Sequence, residues 1–112
     1  ASGLFTTLFI TQYLGINIKE NNICISPIEG LKNFTWLNLK IGNKKFSIIY
    51  KEKEIIITNH GNKLENFEII KTHNNKNIMD NKDLNFNIKK INNIEYLVFK
   101  INSNESIKIE RI

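Results

Sequence analysis

From residue 23 to residue 109 the apolar side chains come in short runs, interrupted by polar turns at spacings of roughly 8–12 residues. An amphipathic helix would need its apolar stripe sustained over about ten residues or more, so this stretch is built of strands. Residues 23–26 form a short apolar run that stops at Pro27. Residues 34–41 alternate, which puts Thr35, Leu37, Leu39 and Ile41 on one face and Phe34 and Trp36 on the other. Gly42-Asn43 is a hairpin signal, residues 45–50 follow it, and residues 54–58 return after a polar link. Asn59-His60-Gly61-Asn62 is the next turn, and residues 67–72 the next strand. Residues 74–83 read as a polar loop.

Leu84, Phe86 and Ile88 alternate with Asn85, Asn87 and Lys89, the pattern of a half-buried strand. After the Asn92-Asn93 turn, residues 94–101 carry apolar side chains on both faces, which predicts a central strand. Ile107 and Ile109 close the series. About eight strands in this rhythm predict a mostly β fold, an antiparallel β-sandwich over residues 17–112.

The first residues follow a different period. Leu4, Phe5, Leu8, Phe9 and Gln12 recur at helical spacing, while Ile10, Tyr13 and Leu14 widen the apolar face. Ser2 can cap the start and Gly15 the end, so residues 1–16 are expected to hold one apolar α-helix. A helix apolar on most sides asks for partners on most sides, and a single sheet covers only one. Leu4, Phe5, Leu8, Phe9 and Tyr13 are the residues expected to meet a neighbour. The stretch is too short to span a bilayer, and no membrane partner is expected. The chain opens Ala-Ser-Gly without a Met and reads as a fragment or a processed product.

Half of the residues are Ile, Asn or Lys, all with A/T-rich codons. The net charge of +5 therefore reads as codon bias, and the lysines are interleaved with acids rather than gathered into a stripe. A nucleic-acid partner, which wants a basic patch, is not expected. One cysteine, Cys24, cannot form an internal disulfide, so nothing argues for an oxidising compartment, and the expected location is the cytoplasm. Cys24 sits in the apolar run Ile23-Cys24-Ile25 and reads as a small core residue.

His60 and His73 are distant from each other and from Cys24 in the chain, so neither a metal site nor a thiol nucleophile is expected, and no cofactor. No pair of carboxylates has the surroundings of a glycosidase site, and no catalytic residue is assigned. The two glycosylation sequons, at Asn33 and Asn104, are no more than chance supplies in so Asn-rich a chain. Among the aromatics, Phe34, Trp36, Tyr50 and Tyr96 are the candidates for stacking on a sugar or for packing at an interface. Trp36 is expected to face away from the sandwich interior.

Gly3-Leu4-Phe5-Thr6-Thr7-Leu8, Tyr13-Leu14-Gly15-Ile16 and Asn22-Ile23-Cys24-Ile25-Ser26-Pro27 together resemble the exit from the catalytic barrel of (α/α)6 glycosidases. There a last barrel helix ends in a Gly-Ile step, and a strand closed by proline opens a C-terminal β-sandwich. Residues 34–50 are similar to the hairpin that follows. The resemblance covers residues 3–60 and points to the amylo-α-1,6-glucosidase (glycogen-debranching) or bacterial α-L-rhamnosidase type. Where that family often has Arg or Lys followed by Pro after Gly-Ile, this chain has Asn17-Ile18.

The resemblance implies that residues 1–16 end an upstream helical barrel, in the same polypeptide or a companion chain, and that the paired catalytic carboxylates lie in that barrel. The expected role is then a non-catalytic, structural accessory domain of a glycoside hydrolase acting on α-glucan-like or rhamnoside substrates. The alternatives are a carbohydrate-binding sandwich module and, behind it, a basic nucleic-acid-binding β protein.

Overall fold

The computed structural model describes residues 15–28, 30–73, 76–80 and 86–112. The expected helix over residues 4–14 and the residues Leu4, Phe5, Leu8, Phe9 and Tyr13 lie outside them. The described chain is mostly β, in two five-stranded sheets and one short hairpin. Among the described residues no helix is long and apolar enough to cross a membrane.

The chain opens with a hairpin of β1 (Ile16–Lys19) and β2 (Asn22–Ile25). Its turn residues Glu20 and Asn21 both take positive φ, as a type I′ turn demands. The chain then crosses to the second sheet for a meander of β3 (Phe34–Ile41), β4 (Lys44–Tyr50) and β5 (Glu54–Asn59). It returns to the first sheet as β6 (Glu65–Ile70), which lies parallel to β2. This pairing corrects the all-antiparallel expectation. A parallel neighbour needs a crossover, and the β3–β5 meander is that crossover.

Three short strands follow, β7 (Thr72–His73), β8 (Lys76–Asn77) and β9 (Met79–Asp80), the last two inside the stretch expected to be a polar loop. The hairpin of β10 (Asn87–Ile91) and β11 (Ile94–Ile101) completes the first sheet in the order β1-β2-β6-β11-β10. Asn92 and Asn93 both have positive φ in its turn, as their sequence signal implied. Finally β12 (Ser106–Arg111) crosses back beside β5, and the second sheet reads β3-β4-β5-β12-β9. β11 lies between β6 and β10, in keeping with its two-sided apolar pattern.

One core joins the two sheets. Ile23, Ile25, Phe67, Ile69, Leu97, Phe99 and Ile101 from the first meet Leu39, Phe46, Ile48, Tyr50, Ile55, Ile57 and Ile109 from the second. Aromatic rings run through its middle. Phe67 lies 5.8 Å from Phe99 in a stacked pair and 5.9 Å from Phe46 edge-on, and Phe86 meets Phe99 edge-on at 5.2 Å.

The face assignment of β3 differs from the expectation. Trp36 pairs with Ile48 and Leu39 with Phe46, so two residues of β3 oppose the single residue Ser47 of β4. This is a β-bulge, and Asn38 supports it in the left-handed region at φ 56°. An extra residue inverts the alternation beyond it. Phe34 and Trp36 therefore pack against the core with Leu39 and Ile41, and Leu37 points outward, 60% exposed. The outward position expected for Trp36 is corrected on this ground.

Candidate functional site

The polar groups that enter the interior come first, because chemistry in a β domain starts with them. Lys44 lies on the inner face of β4, opposite Ile41, and its Nζ donates to Glu65 Oε1 of β6 at 2.7 Å. Both side chains are almost wholly buried, so the pair is an ionic rivet between the two sheets. Beside it Asn59 is fully buried. Its Nδ2 donates to the carbonyls of Lys63 and Ile101, each at 2.9 Å, and its Oδ1 accepts from the Gly61 N–H at 2.8 Å. The bonds of these groups join strands and strand ends.

His60 and Ser47 form a second pair, with Ser47 Oγ 2.6 Å from His60 Nε2. A serine beside a histidine is the start of a nucleophilic site. Here, however, the Asn38 N–H donates to the same Oγ at 2.9 Å, occupying a lone pair with which it would attack. Among the described residues no carboxylate bonds the histidine's other nitrogen. The pair serves to hold the bulge of β3. Nothing in the sequence linked these two residues; the β4–β5 register brings them together. Next along the same outer row, Ser47 pairs with Thr58, whose Oγ1 lies 2.6 Å from Ser106 Oγ.

Arg111, the chain's single arginine, lies with its guanidinium carbon 4.2 Å above the Tyr50 ring. Its Nη1 donates to the carbonyls of Lys51 at 2.6 Å and Lys32 at 3.1 Å, and Nη2 to that of Leu31 at 3.2 Å. A planar fork over an aromatic face is the geometry at which arginine exceeds lysine. Tyr50, 2% exposed beneath it, offers no ring face to a sugar. Burial pushes its hydroxyl above the ordinary range, against the opposing pull of Arg111.

The four aromatic candidates thus fall in separate places. Phe34 and Trp36 stack on each other, centroids 5.7 Å apart, half-buried on the inner face of the edge strand β3. Tyr50 is in the core. Tyr96 is half-buried on the outer face of the first sheet, opposite Ile70 and Lys89. Phe34, Trp36 and Tyr50 share the inner face of one sheet, and Tyr96 stands alone on the far side of the other.

That outer face mixes apolar and charged side chains. Register places Cys24, Glu68, Ile70, Tyr96, Val98, Lys89, Ile91 and Ile94 on it. Glu68 sits at its centre. Its Oε1 accepts from Lys89 Nζ at 3.1 Å and Asn22 Nδ2 at 3.3 Å, and the Cys24 thiol lies 3.6 Å from Oε2. Partial burial would raise the Glu68 carboxyl, but the hydrogen bonds from Lys89 and Asn22 outweigh it and hold the group below its ordinary value of 4.5.

A carboxyl depressed in the fold stabilises it above the unfolded-state value, and that contribution is lost as the pH falls through the folded value. Urea unfolding followed from pH 6 to pH 3 should therefore show stability declining below about 4.5, with the decline flattened in Glu68→Gln. An unchanged acid limb in the variant would contradict the assignment. Cys24 itself is pushed upward, by burial first and the Glu68 carboxylate second, so its thiol stays protonated and unreactive.

At the end of the same face, Ile91 and Ile94 pair across the hairpin and remain 45% and 39% exposed. Ile88, on the opposite face of the same edge strand, is also exposed, where a half-buried strand was expected. Among the described residues no cluster of three His, Cys, Asp or Glu side chains could hold a metal ion. The arrangement defines the class: a two-sheet β domain with an apolar face beside an exposed edge strand. No protein-family model matches the chain, and no curated protein matches its sequence.

Proposed function

We propose that this domain is a non-catalytic accessory module that docks on a larger body through the outer face of its first sheet. The single observation that carries this reading is the exposed Ile91–Ile94 pair, on the same face as Tyr96, Val98 and the buried Cys24 and Ile70. Contiguous apolar surface rimmed by charge marks interaction sites, and Lys89 and Lys100 supply that rim. The uses found for Lys44–Glu65, Asn59, Ser47–His60 and Arg111 support a structural role, since each ties strands or loops together.

The resemblance of residues 3–60 to the barrel exit of (α/α)6 glycosidases supplies the partner. The body docked on is the helical barrel of a glycoside hydrolase acting on α-glucan-like or rhamnoside substrates. The carbohydrate-binding alternative is less well supported, because Tyr50 is covered and Phe34 and Trp36 face the core.

Sedimentation of the full chain tests the reading. Without its partner the chain should self-associate as concentration rises, and Ile91→Lys combined with Ile94→Lys should return it to monomer. It should hydrolyse neither aryl α-glucosides nor aryl α-rhamnosides. A chain that stays monomeric throughout, or that turns over either substrate, would overturn the proposal. A change in Trp36 fluorescence on titration with glucan would transfer support to the carbohydrate-binding alternative.

A further inference from the structure

Among the described residues, β1 and β10 end the first sheet, and β3 and β9 end the second. An exposed sheet edge invites another strand, and folds blunt such edges by shortness or by bulges. β1 has four residues, β9 has two, and β3 is interrupted by its bulge. β10 has neither defence. It pairs with β11 through five consecutive residues without a bulge, and all five are exposed. Among the described residues no strand pairs with its other side.

Apolar exposure is concentrated on the same hairpin, and on both of its faces. Ile88, on the inner face, is 48% exposed although its partner Leu97 is fully buried, so the cover given by the second sheet stops between β11 and β10. Ile91 and Ile94 are exposed on the outer face. A body resting on the outer face alone would leave Ile88 wet. A strand laid beside β10 alternates its side chains between the faces, so it covers Ile88 and Ile91 together. The lysines of β10 set the charge of that strand. Lys89 is turned onto the sheet, with its Nζ 3.1 Å from Glu68 Oε1. Lys90 has no ion pair among the described residues, and Glu95, opposite it in register, is taken by Lys71 Nζ at 3.5 Å.

We infer that β10 receives an added antiparallel strand from an extended, acidic segment of the docked body. Its residues run apolar, acidic, unrestricted, apolar against Ile91, Lys90, Lys89 and Ile88. The molecule already contains the template. On its other side β10 pairs with Ile94-Glu95-Tyr96-Leu97 of β11, which sets an isoleucine on Ile91, a carboxylate on Lys90 and a leucine on Ile88. Opposite-charge and apolar cross-strand pairs are the favourable ones. Main-chain bonds give such a complex its affinity, and the alternating side chains give its specificity. A second copy fits less well. Antiparallel pairing of two β10 strands about residue 89 or 90 sets lysine against lysine, and pairing about Ile88 or Ile91 leaves the other isoleucine beyond the paired length. The inference rests on the docking reading and names the element through which the partner is held.

The probe is an end-blocked peptide, Asn-Ile-Glu-Tyr-Leu-Val, with the sequence of residues 93–98. Added in excess to the full chain, it should slow hydrogen exchange at the outward-facing β10 amides at least about fivefold, since exchange follows the opening of hydrogen bonds. Amides of β3, the edge of the other sheet, should keep their rates. With Lys in place of its Glu, the peptide should bind the wild-type chain about threefold to tenfold more weakly, and Lys90→Glu should reverse that preference. No slowing in β10, or equal binding of the two peptides to the wild-type chain, would overturn the inference, and neither result needs a variant to fold. Slowing that grows with chain concentration in the absence of peptide would overturn it in favour of a second copy. If sedimentation depends on Ile91 and Ile94 while the peptide leaves β10 unprotected, the docking reading survives and the added strand does not.

Discussion

Replacing Glu65 with alanine should cost about 3–5 kcal/mol of stability, because it strands the Lys44 ammonium between the two sheets without a counter-charge. The magnitude follows from burial. The 2.7 Å pair has side-chain exposures of 2% and 4%, so water cannot take over the solvation of the remaining charge. The pair itself need not be a net source of stability. Lys44→Met combined with Glu65→Leu should lie within about 1 kcal/mol of wild type or above it, since two apolar side chains carry no desolvation cost. Urea unfolding of the two single variants and the double variant measures both statements. If Glu65→Ala costs less than about 1 kcal/mol, the ammonium reaches water and the rivet is not in the interior.

Phe67→Ala should be comparably severe, at about 3–5 kcal/mol. Phe67 is completely buried, stacks on Phe99 and meets Phe46 edge-on across the interior. Its removal opens a cavity touching both sheets, and the β-sheet backbone around it cannot collapse to fill the space without breaking ladders. Phe86 provides the comparison. It contacts only the outer end of the same ring series and is half-buried, so Phe86→Ala should cost clearly less. Equal losses for the two, read from urea midpoints at constant slope, would mean that the series does not act as the centre of the core.

Much of the strand layout was legible because β structure announces itself locally. Alternation marked β3, β4, β5, β6, β11 and β12, and the Gly42-Asn43 and Asn92-Asn93 signals marked two hairpins. β1 was missed. Its turn is Glu20-Asn21, and a glutamate at positive φ gives no sequence cue. The bulge in β3 was invisible for a similar reason. Asn38 tolerates the left-handed region, but nothing near it required that conformation until β4 lay alongside. One unrecognised residue then sent Trp36 to the wrong face. The Ser47–His60 and Glu68–Cys24 contacts depend on register between strands, which is set by the packed whole.

The sequence by itself determined that the chain is mostly β and where most of its turns fall. Those properties follow from side-chain period and turn chemistry, which act over a few residues. The tertiary structure decided the rest. It put β2 parallel to β6, buried Lys44 against Glu65, turned Phe34 and Trp36 inward, and buried Cys24 and Ile70 on the far side of their sheet. Each of these requires residues distant in the chain to meet. Local patterning cannot specify such meetings, because inter-strand order and register are chosen by the burial of the whole core at once.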